Sequence, residues 1–302
     1  MQPHNQLKER DQTMLDFNQT TDNILETRAP AALSNLPAPT VTNKYGFINT
    51  NTAIEILADY GFHTVSASQQ GSRKAENAPF AAHLLRFENP SLNRMFTGLK
   101  NGDTNPQLIV LNSHNKRTSL GIGQGFFRYA CSNNLVYAAA GVFSRLRHNQ
   151  ATVSAYEDIV TAKVESLPST METISRMVSL EDLDPTTIRN FAIEACRLRG
   201  WEYVENIKET GKAASYYTQS TLHEMTQARR ASDSANNLWN VFNRVQETFC
   251  NGTGCAPISI VSTSSKYPEG RQRKARAITA VAGNTKINAQ LFELANKYLE
   301  AA

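Results

Sequence analysis

The sequence predicts an α+β fold, with an antiparallel sheet in the first half packed with helices from the second half. Three observations carry that prediction. Runs rich in β-formers, bounded by Gly, Asn and Pro, crowd residues 62–147. After about residue 150 the apolar spacing changes to three and four, which is helical. The chain has 302 residues, 40% of them apolar, enough for a sizeable core, and its 15 Gly, 11 Pro and 4 Cys exclude collagen-like, disulfide-scaffold and wholly disordered chains.

Residues 1–48 are polar, with Gln, Asn and Thr stretches and three prolines between Ala29 and Pro39, and read as a flexible arm or a strap on a neighbour. Residues 49–302 read as a single α+β domain, β-rich over 62–147 and helical over 150–302. Asn51 is positioned to cap a short helix that ends at Gly61. Strands are expected at Phe62–Val65, Ala81–Phe87, Gln107–Leu111, Thr118–Ile122 and Phe126–Ala130, with the segment Leu135–Ala140 either a further strand or a helix start.

Helical stripes follow. Val153, Tyr156, Ile159, Val160, Val164 and Leu167 share a face, and Pro168 stops that run. Met171, Ile174, Met177 and Val178 mark a second helix. Asp184-Pro185 reads as an N-cap with Pro at the first helical position, ahead of Ile188, Phe191, Ala192 and Ala195, and Gly200 closes it. Two more stripes run Leu238 to Phe249 and Ile287 to Tyr298.

The net charge of +4 is unevenly spread: −2 over residues 1–39, +6 over 40–150, −3 over 151–230 and +3 over 231–302. Two basic regions flank an acidic helical middle, a pattern that favours an anionic polymer as partner. No apolar run reaches membrane-helix length, and the N-terminus has no secretory h-region. Four cysteines in such a chain suggest reduced thiols in the cytoplasm.

Gly121-Ile122-Gly123-Gln124-Gly125 lacks the Gly-Lys-Ser/Thr ending of a phosphate loop and reads as a hairpin turn. Cys250 and Cys255 have a spacing that zinc accepts, but no second such pair completes a structural site, and Asn251-Gly252 and Gly254 suit a turn. Cys131 and Cys196 look like core cysteines. No nucleophile elbow or two-metal carboxylate spacing appears, so no local motif supports an enzyme, and no cofactor is implied. Asn240 and Asn243, beside Trp239, read equally as core or groove residues.

The basic residues form clearer groups. Lys116 and Arg117 occupy the turn after the most apolar strand, Arg128 sits in an aromatic-basic run, and Arg145 and Arg147 follow. Lys266, Arg271, Arg273, Lys274 and Arg276 crowd a stretch over 264–278 that reads, with its Pro and Gly, as a mobile basic loop. Cations beside aromatics suit single-stranded nucleic acid, the cations tracking phosphates and the rings stacking bases.

Leu108-Ile109-Val110-Leu111-Asn112-Ser113-His114, followed by Gly125-Phe126-Phe127-Arg128-Tyr129-Ala130-Cys131-Ser132-Asn133-Asn134-Leu135-Val136, resembles the core of an uncharacterised family found in phages and plasmids. Its pattern is a strand ending in Asn-Ser-His and then Arg-x-x-Cys-Ser/Thr-Asn-Gly-Leu, with Asn134 standing here for the usual Gly. Asn237 to Glu247 resembles the family's aromatic helix, and Arg271 to Leu291 its basic stretch and final helix, so the likeness spans roughly residues 80–295. It implies a mobile-element setting without implying a mechanism.

The expectation is a phage- or plasmid-encoded protein that binds single-stranded DNA in recombination or replication, with strand annealing as an extension, as a homo-oligomer and without a nucleotide cofactor. Lys116, Arg117 and Arg128 would form one wall of a groove and the Arg271–Arg276 loop would close it. Two alternatives stand beside it: a metal-dependent nucleic-acid-processing enzyme using His114 with Cys or Asp ligands, and a protein that inhibits a host factor through its acidic helical face.

Overall fold

The structure is a computed structural model, and it describes residues 23–95, 104–128, 144–149, 151–152, 155–205, 213–249, 258–276, 278 and 281–302. The expected Leu135–Ala140 element, Cys131 and the Cys250–Cys255 turn lie outside the described residues. The fold is α+β, with a five-stranded antiparallel sheet early in the chain and most of the helices later. Contacts divide it into two compact units where the sequence suggested one domain: Met1–Gly98, Asn105–Gly125 and Val142–Leu167, and then Leu99–Thr104, Phe126–Gly141 and Pro168–Ala302.

The first unit holds strands β1 (His63–Gln69), β2 (His83–Glu88), β5 (Ser144–Leu146) and most of β3 (Thr104–Asn112) and β4 (Leu120–Arg128), and the sheet runs β1 to β5 in spatial order. Register pairs Leu85 with Val110 and Phe87 with Leu108, and all four side chains are buried on one face. Helix α1 (Thr50–Asp59) turns Ala53 and Leu57 inward, and its start is capped by Asn49, which accepts from the Asn51 N–H; the cap thus precedes the expected Asn51 by two residues. A short helix α2 (Pro90–Met95) and helix α3 (Tyr156–Glu165) complete the unit.

The Gly121–Gly125 turn is corrected by β4, which runs unbroken through it. The glycines alternate with Leu120, Ile122 and Gln124, so a period of two is preserved and one strand accommodates both flanking runs. Residues 23–48 depart from the expected flexible arm. Leu25, Ala29, Ala31, Ala32, Ala38 and Ile48 are buried, and the Ala38 N–H donates to the His114 carbonyl at 2.8 Å. Small apolar residues spaced through a polar sequence supply enough anchors for a strap.

The second unit contains helices α4 (Leu167–Ser179), α5 (Pro185–Leu198), α6 (Gln219–Thr226), α7 (Leu238–Phe249) and α8 (Val281–Glu300). Asp184 caps α5 through the Thr186 and Thr187 N–H groups, and Gly200, at φ +68°, follows its end. These helices share the unit with a sheet the sequence did not suggest, in the order β6 (Glu202–Tyr203), β7 (Ala214–Tyr217), β8 (Ser259–Ser264) and β9 (Tyr267–Lys274). The 264–278 loop is therefore corrected: its centre is edge strand β9, paired antiparallel with β8, because ladder bonds to a neighbour rich in β-branched residues (Ile260, Val261, Thr263) outweigh its own Gly and Pro. Among the described residues no helix is long and apolar enough to cross a membrane.

Candidate functional site

In the first unit β3 delivers Asn112, Ser113 and His114 into wholly buried positions. His83 lies opposite Asn112 in the β2–β3 ladder. Thr50, at the start of α1, sits between the imidazoles: its hydroxyl is 2.8 Å from His83 Nε2 and 3.1 Å from His114 Nε2. Donor counting fixes the protons. His83 Nδ1–H donates to the Ala81 carbonyl at 2.9 Å, so Nε2 must accept from Thr50. Thr50 Oγ1 then accepts from Asn112 Nδ2 at 3.1 Å and from His114 Nε2–H. That leaves His114 Nδ1 as a buried lone pair without a hydrogen-bond partner among the described residues.

The cluster is consequently neutral at ordinary pH. Burial pushes His83 down to about 4; burial, with the neighbouring His83 and His148, pushes His114 down to about 3. Burial also lowers His148 and raises Tyr45 to about 12. A proton added at His114 Nδ1 would find no acceptor among the described residues and would lie beside a second imidazole, with ring centres 5.1 Å apart.

The cluster anchors a turn. Ser113 Oγ donates to the Thr118 carbonyl at 2.9 Å and accepts from the Thr118 N–H at 3.0 Å, closing residues 113–118. Tyr45 OH donates to the Ser113 carbonyl at 2.9 Å, and His148 Nε2–H donates to the Thr118 carbonyl at 3.2 Å. The Gly46 N–H in turn donates to the His148 carbonyl at 3.1 Å. Three chain segments are thereby clamped at one end of the sheet, and each projects exposed cations: Lys44, then Lys116 and Arg117, then Arg145 and Arg147. Residues 38–49, 112–121 and 144–149 contain no Asp or Glu. Lys116 adopts φ +54°, a strained region for a residue with a side chain, and the clamped turn holds it there.

The structure thus brings together Lys116, Arg117, Arg145 and Arg147, four of the expected site residues. Arg128 ends β4, and its side chain lies outside the described atoms. Lys44, Thr50 and His83 were not legible as site residues. They come from a polar strap, a helix cap and a strand, and only register and hydrogen bonding bring them to one place.

The other expected residues lie in the second unit. Lys266, Arg271, Arg273 and Lys274 occupy the β8–β9 hairpin, and Arg276 follows it. Arg273 Nε donates to Ser262 Oγ and Arg273 Nη2 to Ser215 Oγ at 3.2 Å. Lys274 Nζ donates to Ser259 Oγ at 3.1 Å and lies 3.9 Å from Glu224. Lys266 and Arg271 both lie over the Tyr267 ring, at 5.5 and 5.4 Å.

Helix α7 is buried on every side, polar residues included. Arg244 donates to the carbonyls of Asp233, Thr226, Ser234 and Ala235 and to Asn236 Oδ1. Arg230 pairs with Glu247, and Gln246 Nε2 donates to Asn288 Oδ1 at 2.9 Å. Asn243 Nδ2 donates to the Trp239 carbonyl and Asn240 Nδ2 to the Ala235 carbonyl, so both asparagines take the core reading. Cys196 is buried, with its thiol pushed up to about 12 by burial, as suits a core cysteine. Among the described residues no three His, Cys, Asp or Glu side chains gather to hold a metal ion.

These features define a two-unit α+β protein with a buried imidazole–hydroxyl–amide anchor beneath a cationic turn. The chain belongs to the family described as domain of unknown function (DUF932), whose profile matches residues 38–290 and so reaches into both units and covers the end of the strap. It is similar to the UPF0380 proteins YfjQ and YafZ of Escherichia coli (strain K12). Each is 25% identical over 264 residues, which cover 85% of this chain and 84% of the relative. No solved structure matches.

Proposed function

We propose that the protein binds single-stranded nucleic acid in the cytoplasm of a cell carrying a phage or plasmid, through the cationic end of the first sheet. The observation that supports this reading most is the convergence of Lys44, Lys116, Arg117, Arg145 and Arg147 from three acid-free segments. A patch of one sign attracts a phosphate backbone, and it needs no nucleotide cofactor to do so. Asn112, Ser113 and His114 contribute by holding the turn from beneath: they are positioning residues. The β9 cations belong to a lesser surface on this reading, because Arg273 and Lys274 already serve the protein's own hydroxyls and Glu224.

The test is fluorescence anisotropy with labelled single-stranded and duplex oligonucleotides at two salt concentrations. Salt-sensitive binding that favours the single strand is the expected result. No binding at low salt would remove the reading.

A further inference from the structure

We propose that the second sheet joins copies of this chain head to tail, with strand β9 of one copy adding to strand β6 of the next. The proposal stands on the second unit alone and does not depend on nucleic-acid binding.

The sheet ends in two edges of opposite character. Among the described residues β9 pairs only with β8, and β6 only with β7. The β9 edge carries exposed Arg271 and Lys274 with half-buried Arg273, against one acid, Glu269. At the β6 edge Glu202 and Glu205 are exposed, and Tyr203 is one of three large apolar side chains exposed among the described residues, at 39%. Two β9 strands brought together would set like charges side by side. An edge managed in this way refuses itself and accepts a complementary strand.

Direction and facing both agree. Strand β6 runs parallel to β7, β7 antiparallel to β8, and β8 antiparallel to β9, so β6 and β9 point the same way. A copy shifted along the hydrogen-bonding direction therefore offers β6 parallel to β9. Register runs Glu202 to Tyr216 to Val261 to Gln272, which places those four on one face. Tyr203 leaves from the opposite face, the face of Arg271 and Arg273, and Glu205, just past the end of β6, is held beside it by accepting from Tyr203 OH at 3.0 Å. The two pairs have the same two-residue spacing. Tyr203 of one copy can thus lie beside Arg271 of the next while Glu205 lies beside Arg273. Contacts between unlike edges do not close at two copies; they give rings or filaments.

The experiment is light scattering coupled to size exclusion, on nuclease-treated full-length protein over a range of concentration and salt. The expected result for the native chain is concentration-dependent assembly that high salt weakens. Glu205→Arg alone and Arg273→Glu alone should each raise the concentration needed for assembly tenfold or more, and an equimolar mixture of the two should restore it. Tyr203→Ala and Arg271→Ala, both at exposed positions, should each weaken assembly severalfold and serve if Arg273→Glu disturbs folding. A native chain that stays monomeric overturns the proposal and leaves both edges to partners of other sequence. Variants that assemble like the native chain, or a mixture that does not recover, overturn it too.

Discussion

The two units surround their cations differently. At one end of its sheet the first sets buried neutral groups, Thr50, His83, Asn112 and His114, beneath exposed Lys44, Lys116, Arg117, Arg145 and Arg147, while its buried charges, Arg86 and Glu88, lie in β2. The second buries Arg244 and Glu247, pairs Glu247 with half-buried Arg230, and occupies Arg273 and Lys274 with nearby side chains. A basic residue that already satisfies a carbonyl, a hydroxyl or a carboxylate has to break that contact before it can meet a phosphate. Exposed Lys116 and Arg117, whose side chains make no such contact among the described residues, lose only water. Cation count alone would rank the 264–278 stretch first, whereas availability ranks the 113–118 turn first.

The buried charge of the second unit should give the largest effect. Arg244→Ala strands several carbonyls and opens a cavity in a fully buried helix, and a loss of about 3–5 kcal/mol in unfolding free energy is expected from denaturant titration. A loss under about 1 kcal/mol would show that the network contributes little. In the first unit Thr50→Val leaves His83 Nε2, His114 Nε2–H and one Asn112 proton without their shared partner, at an expected cost of about 2–3 kcal/mol.

Acid should separate the units further. His83 and His114 titrate far below the ordinary imidazole range when folded, at about 4 and about 3, so the unfolded chain takes up those protons first. Stability is therefore complete above about pH 6.5 and falls, by about 1.4 kcal/mol per pH unit for each histidine, as pH drops towards about 4. Denaturant midpoints at pH 7, 6 and 5 should show that slope, and His83→Gln with His114→Gln should reduce it to the part left by His63 and His148, which burial also lowers. The smallest effect, and the most diagnostic, is expected at Lys116. Replacing it with Gly relieves a positive φ, so stability should stay level or rise by up to about 1 kcal/mol while affinity for single strands falls. A variant that lost stability would show that the turn is not strained.

Much of this architecture is legible in the sequence where periodicity is strong. Asp184-Pro185 and Gly200 mark the α5 boundaries, the Leu238 to Phe249 stripe is a helix, and Gln107 to Leu111 is a buried strand. Strands β6 to β9 are not legible, because β6 has two residues, β7 four, and β9 carries Pro268 and Gly270 within a run of charge. The site is half legible. Lys116 and Arg117 stand out as a basic pair in a turn, and Asn112-Ser113-His114 as a strand ending. The bonds from Thr50, Tyr45 and His148 span 30 to 68 residues, and no local pattern announces a contact of that kind.

The central claim is that the first unit's exposed cations form the nucleic-acid surface. The most direct measurement is the salt dependence of single-strand affinity for a Lys116→Ala, Arg117→Ala, Arg145→Ala, Arg147→Ala variant beside an Arg271→Ala, Arg273→Ala, Lys274→Ala, Arg276→Ala variant. The account predicts that the first loses affinity by on the order of a hundredfold and that its log–log salt slope falls by about 3, the value for four lost phosphate contacts on a single strand. The second should lose only severalfold. Equal losses, or a larger loss in the second, would contradict it.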